Sequence, residues 1–195
     1  MKLLYRTVAE LSVAALFLAF WPMASLAQTT LLPLPAPPPA SFSETPSLRA
    51  AVATGALPAI ANRLPAPPLV VPTGRWRGLG QQGGNLRSLV SRSKDTRLFA
   101  VYGYSRLVGY DEDFELRPDI LEKVEVEDGR IFTLYLRAGH RWSDGAPFTS
   151  EDFRYYWEDM ALNPELSPTG PPRYLKVDGA LPKVEFLDAR RIRYS

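Results

Sequence analysis

The run IFTLYLRAGHRWSDGAPFTSEDFRYYWEDM, from Ile131 to Met160, passes from a strand pattern to a helix pattern through one tight corner. Ile131 to Leu136 is rich in β-branched and aromatic residues, and Phe132, Leu134 and Leu136 recur at the spacing of one strand face. The corner is Trp142-Ser143-Asp144-Gly145. Trp142 supplies a large face to bury, Ser143 and Asp144 offer oxygens to nearby backbone amides, and Gly145 permits a backbone conformation closed to other residues. Behind Pro147-Phe148, Thr149 is placed to cap a helix with Asp152 reaching back, while Glu151 and Asp152 suit the positive end of the helix dipole. Phe153, Tyr156, Trp157 and Met160 then follow the i, i+3, i+4, i+7 spacing of one buried face, and Asn163-Pro164 stops the helix.

Upstream, Asp128-Gly129 is the strongest hairpin signal in the chain, flanked by Val124 to Val126 and Ile131 to Leu136. A strict two-residue turn pairs Val126 with Ile131 and leaves Phe132, Leu134 and Leu136 on the opposite face; a longer turn changes the register. Both registers stay open. Further back, Gly83-Gly84-Asn85 reads as a pivot into a short strand, Leu86 to Val90. Asp95 or Thr96 caps a helix through Leu98, Val101 and Tyr102, Leu107 to Tyr110 is a strand, and Asp111-Glu112-Asp113 makes a turn. Downstream, a loop from Ser167 leads to strands at Lys183 to Phe186 and Arg191 to Tyr194, around a turn at Asp188.

The N-terminal third differs in composition. Lys2 and Arg6 precede the short apolar run Leu11 to Phe20, and Ser25-Leu26-Ala27 places small residues where a signal peptidase reads them, so cleavage is expected before Gln28. Trp21 and Pro22 cut the apolar run well below the roughly 20 residues that cross a bilayer. Residues 28–46, rich in proline and alanine, read as a disordered spacer. Residues 47–82 read as an extended leader lying along the folded body, with a short helix at Ser47 to Thr54 capped by Thr45 or Ser47 and stopped by Gly55. The folded body is residues 83–195.

The formal net charge is only +2 over 195 residues, with both signs mixed, which argues against nucleic acid as a partner. There is no cysteine, so disulfides, thiolate nucleophiles, cysteine-ligated metals and a lipid-bearing cysteine are all excluded. His140 is the only histidine and reads as a solvated side chain in a charged turn, so no histidine-based catalytic pair or multi-histidine metal site forms within one chain. Asp111, Glu112 and Asp113 lack the spaced ligands of a calcium loop. Gly78-Leu79-Gly80 with Gly83-Gly84 lacks the lysine and hydroxyl ending of a phosphate cradle. Tyr102, Tyr104 and Tyr110 read as core residues before ligand-lining ones.

The run Phe132 to Arg137, with Gly139, Trp142-Ser143-Asp144-Gly145, Pro147-Phe148-Thr149, Glu151-Asp152-Phe153 and Trp157-Glu158, resembles the signature of family 5 solute-binding proteins of ABC importers, the oligopeptide, dipeptide and nickel binding type. Gly83 to Arg87, Leu107 to Asp111 and Leu116 to Asp119 resemble neighbouring blocks of the same family. The resemblance implies an α/β fold: part of the first lobe of a two-lobed periplasmic binding protein, a mixed sheet with flanking helices, truncated at Ser195 inside an early strand. It implies a periplasmic binding component that captures peptides or peptide-like solutes and hands them to permease and ATPase subunits, as a monomer, with no cofactor, no metal and no catalysis. Nickel or haem complexes, sugars and a degenerate envelope fragment are the alternatives. Ligand contact is expected from the loop at Lys94, Asp95 and Thr96, with Tyr102 and Tyr104 following. Trp142, Ser143, Asp144, Gly145, Thr149, Asp152 and Trp157 are expected to be structural.

Overall fold

A computed structural model of the chain describes residues 28–33, 41–71 and 80–195. The expected signal peptide, residues 1–27, lies outside the described residues, as do residues 34–40 of the spacer. Five strands form one sheet: β1 (Gln28–Leu31), β4 (Leu121–Glu127), β5 (Ile131–Leu136), β7 (Arg191–Tyr194) and β6 (Val184–Asp188), in that spatial order. A separate hairpin joins β2 (Val108–Tyr110) to β3 (Leu116–Pro118). Every pairing in both is antiparallel. Three short α-helices, α1 (Arg49–Ala53), α2 (Leu98–Gly103) and α3 (Ser150–Arg154), complete the α/β lobe.

The hairpin register is the longer-turn one. Val126 faces Phe132 and Glu127 faces Ile131, because Asp128 and Gly129 both adopt positive φ (53° and 64°) and Arg130 donates its amide to the Glu127 carbonyl at 3.0 Å. Residues directly opposite share a face, so this register puts Phe132 and Leu134 with Val126 and Val124. Leu134 in turn faces Ile192, which faces Phe186. The result is an apolar face whose centre, Leu121, Val124, Leu136 and Ile192, is shut off from solvent. Each such Leu or Ile contributes about 1.5–3 kcal/mol on burial.

The other face is polar. Lys123 donates to Glu125 at 2.6 Å, Tyr135 donates to the same carboxylate at 2.6 Å, and Arg193 bonds Thr133 at 3.3 Å. The Lys123 bond, followed by that of Tyr135, holds the Glu125 carboxyl below the usual carboxylate range.

α3 covers the apolar face at β6 and β7. Its attachment is specific: Ser150 donates through its amide to the Ala189 carbonyl at 3.0 Å and through Oγ to the Asp188 carbonyl at 2.5 Å.

Several expectations are corrected. Gln28–Leu31, expected to be disordered spacer, is an edge strand paired to β4, with Leu31 packed against the core. Its four residues precede the prolines, so every amide can join the ladder. Leu86 to Val90 forms no strand: Leu86 is 88% and Leu89 101% exposed, and no strand lies alongside among the described residues. α1 begins at Arg49 with Leu48 as its first boundary residue and no side-chain cap, so neither Thr45 nor Ser47 acts as one. α2 likewise has no side-chain cap, because Ser93–Arg97 forms a 3-10 turn that runs directly into it.

Candidate functional site

The corner predicted from sequence is a tight reversal. Trp142 donates its amide to the Ala146 carbonyl at 2.9 Å, Gly145 returns one to the Trp142 carbonyl at 3.0 Å, and Asp144 Oδ1 accepts from the Ala146 amide at 2.8 Å. Gly145 sits at φ 93°, which a residue with a Cβ rarely adopts. Thr149 and Asp152 form the reciprocal cap: Thr149 Oγ1 accepts from the Glu151 amide at 3.3 Å, and Asp152 Oδ2 accepts from the Thr149 amide at 2.8 Å.

Two details of the corner differ from expectation. Trp142 is half exposed rather than buried; it stands edge-on to Phe148 with ring centroids 4.9 Å apart, and its Nε1 donates to Asp152 Oδ1 at 3.0 Å. Asp152 therefore ties the corner to the helix start as well as closing the cap. His140 is half-buried rather than solvated, edge-on to Phe148, and burial pushes its imidazole below the ordinary histidine range, with Arg137 adding to the effect.

The helix face also changes. After Arg154 the chain widens into a π-helical turn, Tyr155–Ala161. The wider turn rotates later residues relative to the 3.6-residue spacing. Trp157 (7% exposed) and Ala161 (3%) are buried and Phe153 packs on the core, whereas Tyr156 and Met160, predicted to be inside, are exposed. The carboxylates of Glu151, Glu158 and Asp159 all engage Arg154, whose guanidinium is pushed further above its ordinary range, chiefly by the Glu151 bond.

The residues expected to touch ligand lie elsewhere. Lys94 and Thr96 are exposed on the 3-10 turn, and Asp95 Oδ2 accepts from Ser91 at 3.2 Å and Arg92 at 3.4 Å. Tyr104 is solvent-facing just after α2, and so is Tyr110 in β2; neither is in the core. The Tyr102 side chain lies outside the described residues. Asp111 spends its oxygens on the amides of Asp113 and Glu115 and on Arg117 Nε, each at 2.9 Å, and the Arg117 bond leads in holding its carboxyl below the ordinary range. Among the described residues no group of three or more His, Cys, Asp or Glu side chains could hold a metal ion.

Two features went unread in the sequence. A cavity of about 300 Å³ opens between Leu69–Val71 of the leader and the β2–β3 hairpin, where Tyr110, Arg117 and Asp119 line it. The Leu-Val-Val run amid prolines was the available signal. Arg137 is the other: 4% exposed, it donates to the carbonyls of Leu121 (3.0 Å), Asp119 (3.2 Å) and Pro67 (3.4 Å), while the Ala66 amide donates to Ala138 at 2.9 Å. One guanidinium thus clamps the leader to the β3–β4 turn.

Comparison with known proteins follows the same geography. The family described as bacterial extracellular solute-binding proteins, family 5 Middle, matches residues 115–195. The periplasmic alpha-galactoside-binding protein of Rhizobium meliloti is 30% identical over 137 residues, which is 60% of this chain and 20% of that protein. The periplasmic oligopeptide-binding protein OppA of Salmonella typhimurium is 41% identical over 51 residues, 26% of this chain and 9% of that protein. A solved oligopeptide-binding protein OppA superposes with a TM-score of 0.66 at 32% identity, covering 79% of this chain and 24% of that one. The chain thus spans a quarter or less of each of these three proteins. The corner, the capped helix and strands β3 to β7 occupy the residues that the family match covers, and over that stretch the chain is similar to the bacterial extracellular solute-binding proteins of family 5.

Proposed function

We propose that this chain contributes the first-lobe wall of a periplasmic substrate-binding component that captures peptides or peptide-like solutes for an ABC importer. The observation that carries the reading is the Trp142–Gly145 corner and its Thr149–Asp152 cap seated on a sheet that superposes on an oligopeptide-binding protein. In such a protein, binding is coupled to closure of two lobes over the ligand, and the closed form is the one the transporter recognises. The partners are then a permease pair and its ATPases, and the chain binds rather than catalyses. Residues 1–27 act as a removable export signal cleaved before Gln28. Lys94, Asp95, Thr96, Tyr102 and Tyr104 remain the proposed ligand-side positions, supported by the exposure of Lys94, Thr96 and Tyr104 on one short stretch. A sugar ligand is the second reading, favoured by the alpha-galactoside-binding relative that aligns with 60% of the chain.

A chimera tests both. The chain is joined in frame to the remaining length of the Salmonella oligopeptide-binding relative and titrated calorimetrically with short peptides and, separately, with α-galactosides. Peptide heats support the leading reading, and galactoside heats select the second. A chimera that unfolds cooperatively yet binds neither would remove the transport role.

A further inference from the structure

Three turns place an aspartate directly before a glycine: Asp128-Gly129, Asp144-Gly145 and Asp178-Gly179. In such a pair the glycine nitrogen, with no Cβ beside it, can reach the aspartate Cγ and close a five-membered ring. The fold holds the reacting atoms of the three with very different firmness. At the corner, Gly145 donates its amide to the Trp142 carbonyl at 3.0 Å and Asp144 Oδ1 accepts from the Ala146 amide at 2.8 Å, so nitrogen and carboxylate are both occupied. Asp128-Gly129 is closed between the paired strands β4 and β5, and Arg130 Nη2 stands 4.0 Å from the Asp128 carboxylate.

Asp178-Gly179 is held by much less. Val177 and Ala180 exchange two backbone hydrogen bonds, at 3.0 and 2.9 Å, and lie outside every strand. Asp178 and Gly179 sit at φ 52° and 82°, positive at both central positions as in a type I′ turn. An aspartate held there carries backbone strain that opening of the turn relieves. Residues 177–180 are all exposed. Among the described residues the Asp178 carboxylate has no hydrogen-bond donor or cation beside it, and the Gly179 amide donates to no partner. A Cβ built on Gly179 would meet nothing within 4 Å, so a ring has room to form.

We propose that Asp178 is a modification site, at which the chain converts through a succinimide to a β-linked isoaspartyl residue. The Gly179 nitrogen attacks Asp178 Cγ and the N–Cγ bond forms; a carboxyl oxygen leaves as water, taking the amide proton and one from solvent. Water then adds to either imide carbonyl, that C–N bond breaks, the nitrogen regains its proton and the new carboxyl group ionises. Attack at Cγ restores aspartate, and attack at the backbone carbonyl leaves the chain running through the side chain. Water is the only co-reactant. Ring closure needs the nitrogen to swing towards Cγ, which the closed turn prevents, so the rate follows how often the turn opens. The β-linked form lengthens the backbone, and Val177 and Ala180 no longer meet in register. The five-stranded sheet is untouched, because the turn lies outside it.

The test incubates the folded 195-residue chain in mildly acid buffer made with heavy-oxygen water, since each succinimide hydrolysis leaves one heavy oxygen behind. After transfer to ordinary water, trypsin cuts behind lysine and arginine, and residues 124–130, 142–154 and 177–183 emerge as separate peptides, one for each turn. Peptide 177–183 is expected to gain label, and to split off an isoaspartyl form, roughly tenfold or more faster than the other two, the ratio that about 1.4 kcal/mol of easier opening gives. In urea the three rates should converge. The Asp178→Glu chain, whose ring would need six members, should gain no label in 177–183. Comparable rates in the folded chain, or a faster rate in either other peptide, overturn the proposal. So does a lead of 177–183 that persists unchanged in urea, which would assign it to local sequence rather than to the fold, and so does label that survives Asp178→Glu.

Discussion

Leu121, Leu136 and Ile192 are wholly buried, while Leu86 and Leu89, no less apolar, stand in solvent. The first group sits in a five-stranded antiparallel sheet covered by a helix; the second lies on a stretch with extended-strand composition and no strand beside it among the described residues. Apolar side chains mark what a segment can bury, but burial needs a second surface. In this chain residues 107–195 bring their own partners, and residues 80–98 do not.

The largest expected effect probes the first region. Leu136→Ala empties a site with no solvent exposure and should cost about 2–5 kcal/mol in a urea titration. Arg137→Met comes next: it leaves three carbonyls without their donor and should cost about 1–3 kcal/mol, with faster proteolysis near Pro67 because the leader loses its clamp. Thr149→Ala removes one arm of the reciprocal cap and should cost about 1 kcal/mol, read by the same titration.

A pH series sharpens the picture of the polar face. Glu125 has its carboxyl lowered from 4.5, so the unfolded chain binds more protons than the folded one as acid is added. Its stabilisation is complete above pH 4.5 and declines as pH falls through the lower folded value. His140, lowered from 6.5 by burial, has the same sign: its contribution is full above pH 6.5 and declines as pH falls through its folded value. Glu125→Gln should flatten the acid limb of stability below pH 4.5 and leave the loss just below pH 6.5 in place.

The smallest effect belongs to the exposed stretch. Leu89→Ser should change stability by less than about 0.5 kcal/mol. A cost matching that of Leu136→Ala would dissolve the contrast between the two regions.

Much of the lobe was legible because its signals are local. The Thr149–Asp152 cap, the Gly145 conformation and the strands at Ile131 to Leu136 and Arg191 to Tyr194 depend on residues a few positions apart, and each stands where its spacing placed it. The expected ligand-side residues could be placed on a turn, yet nothing near them in sequence says what they face. Arg137 was missed because its three acceptors lie 16 to 70 residues away. Tyr156 and Met160 were misassigned because a 3.6-residue period was projected through a π-helical turn.

Caps, turns and strand alternation are chemistry between near neighbours, and the order of residues alone was enough to establish them. The register at Asp128-Gly129, the recruitment of Gln28–Leu31 to the sheet edge and the half-exposure of Trp142 hinge on which distant surfaces meet. Those meetings are decided by shared burial and by backbone groups seeking partners across the fold, and neither can be counted along a line of residues.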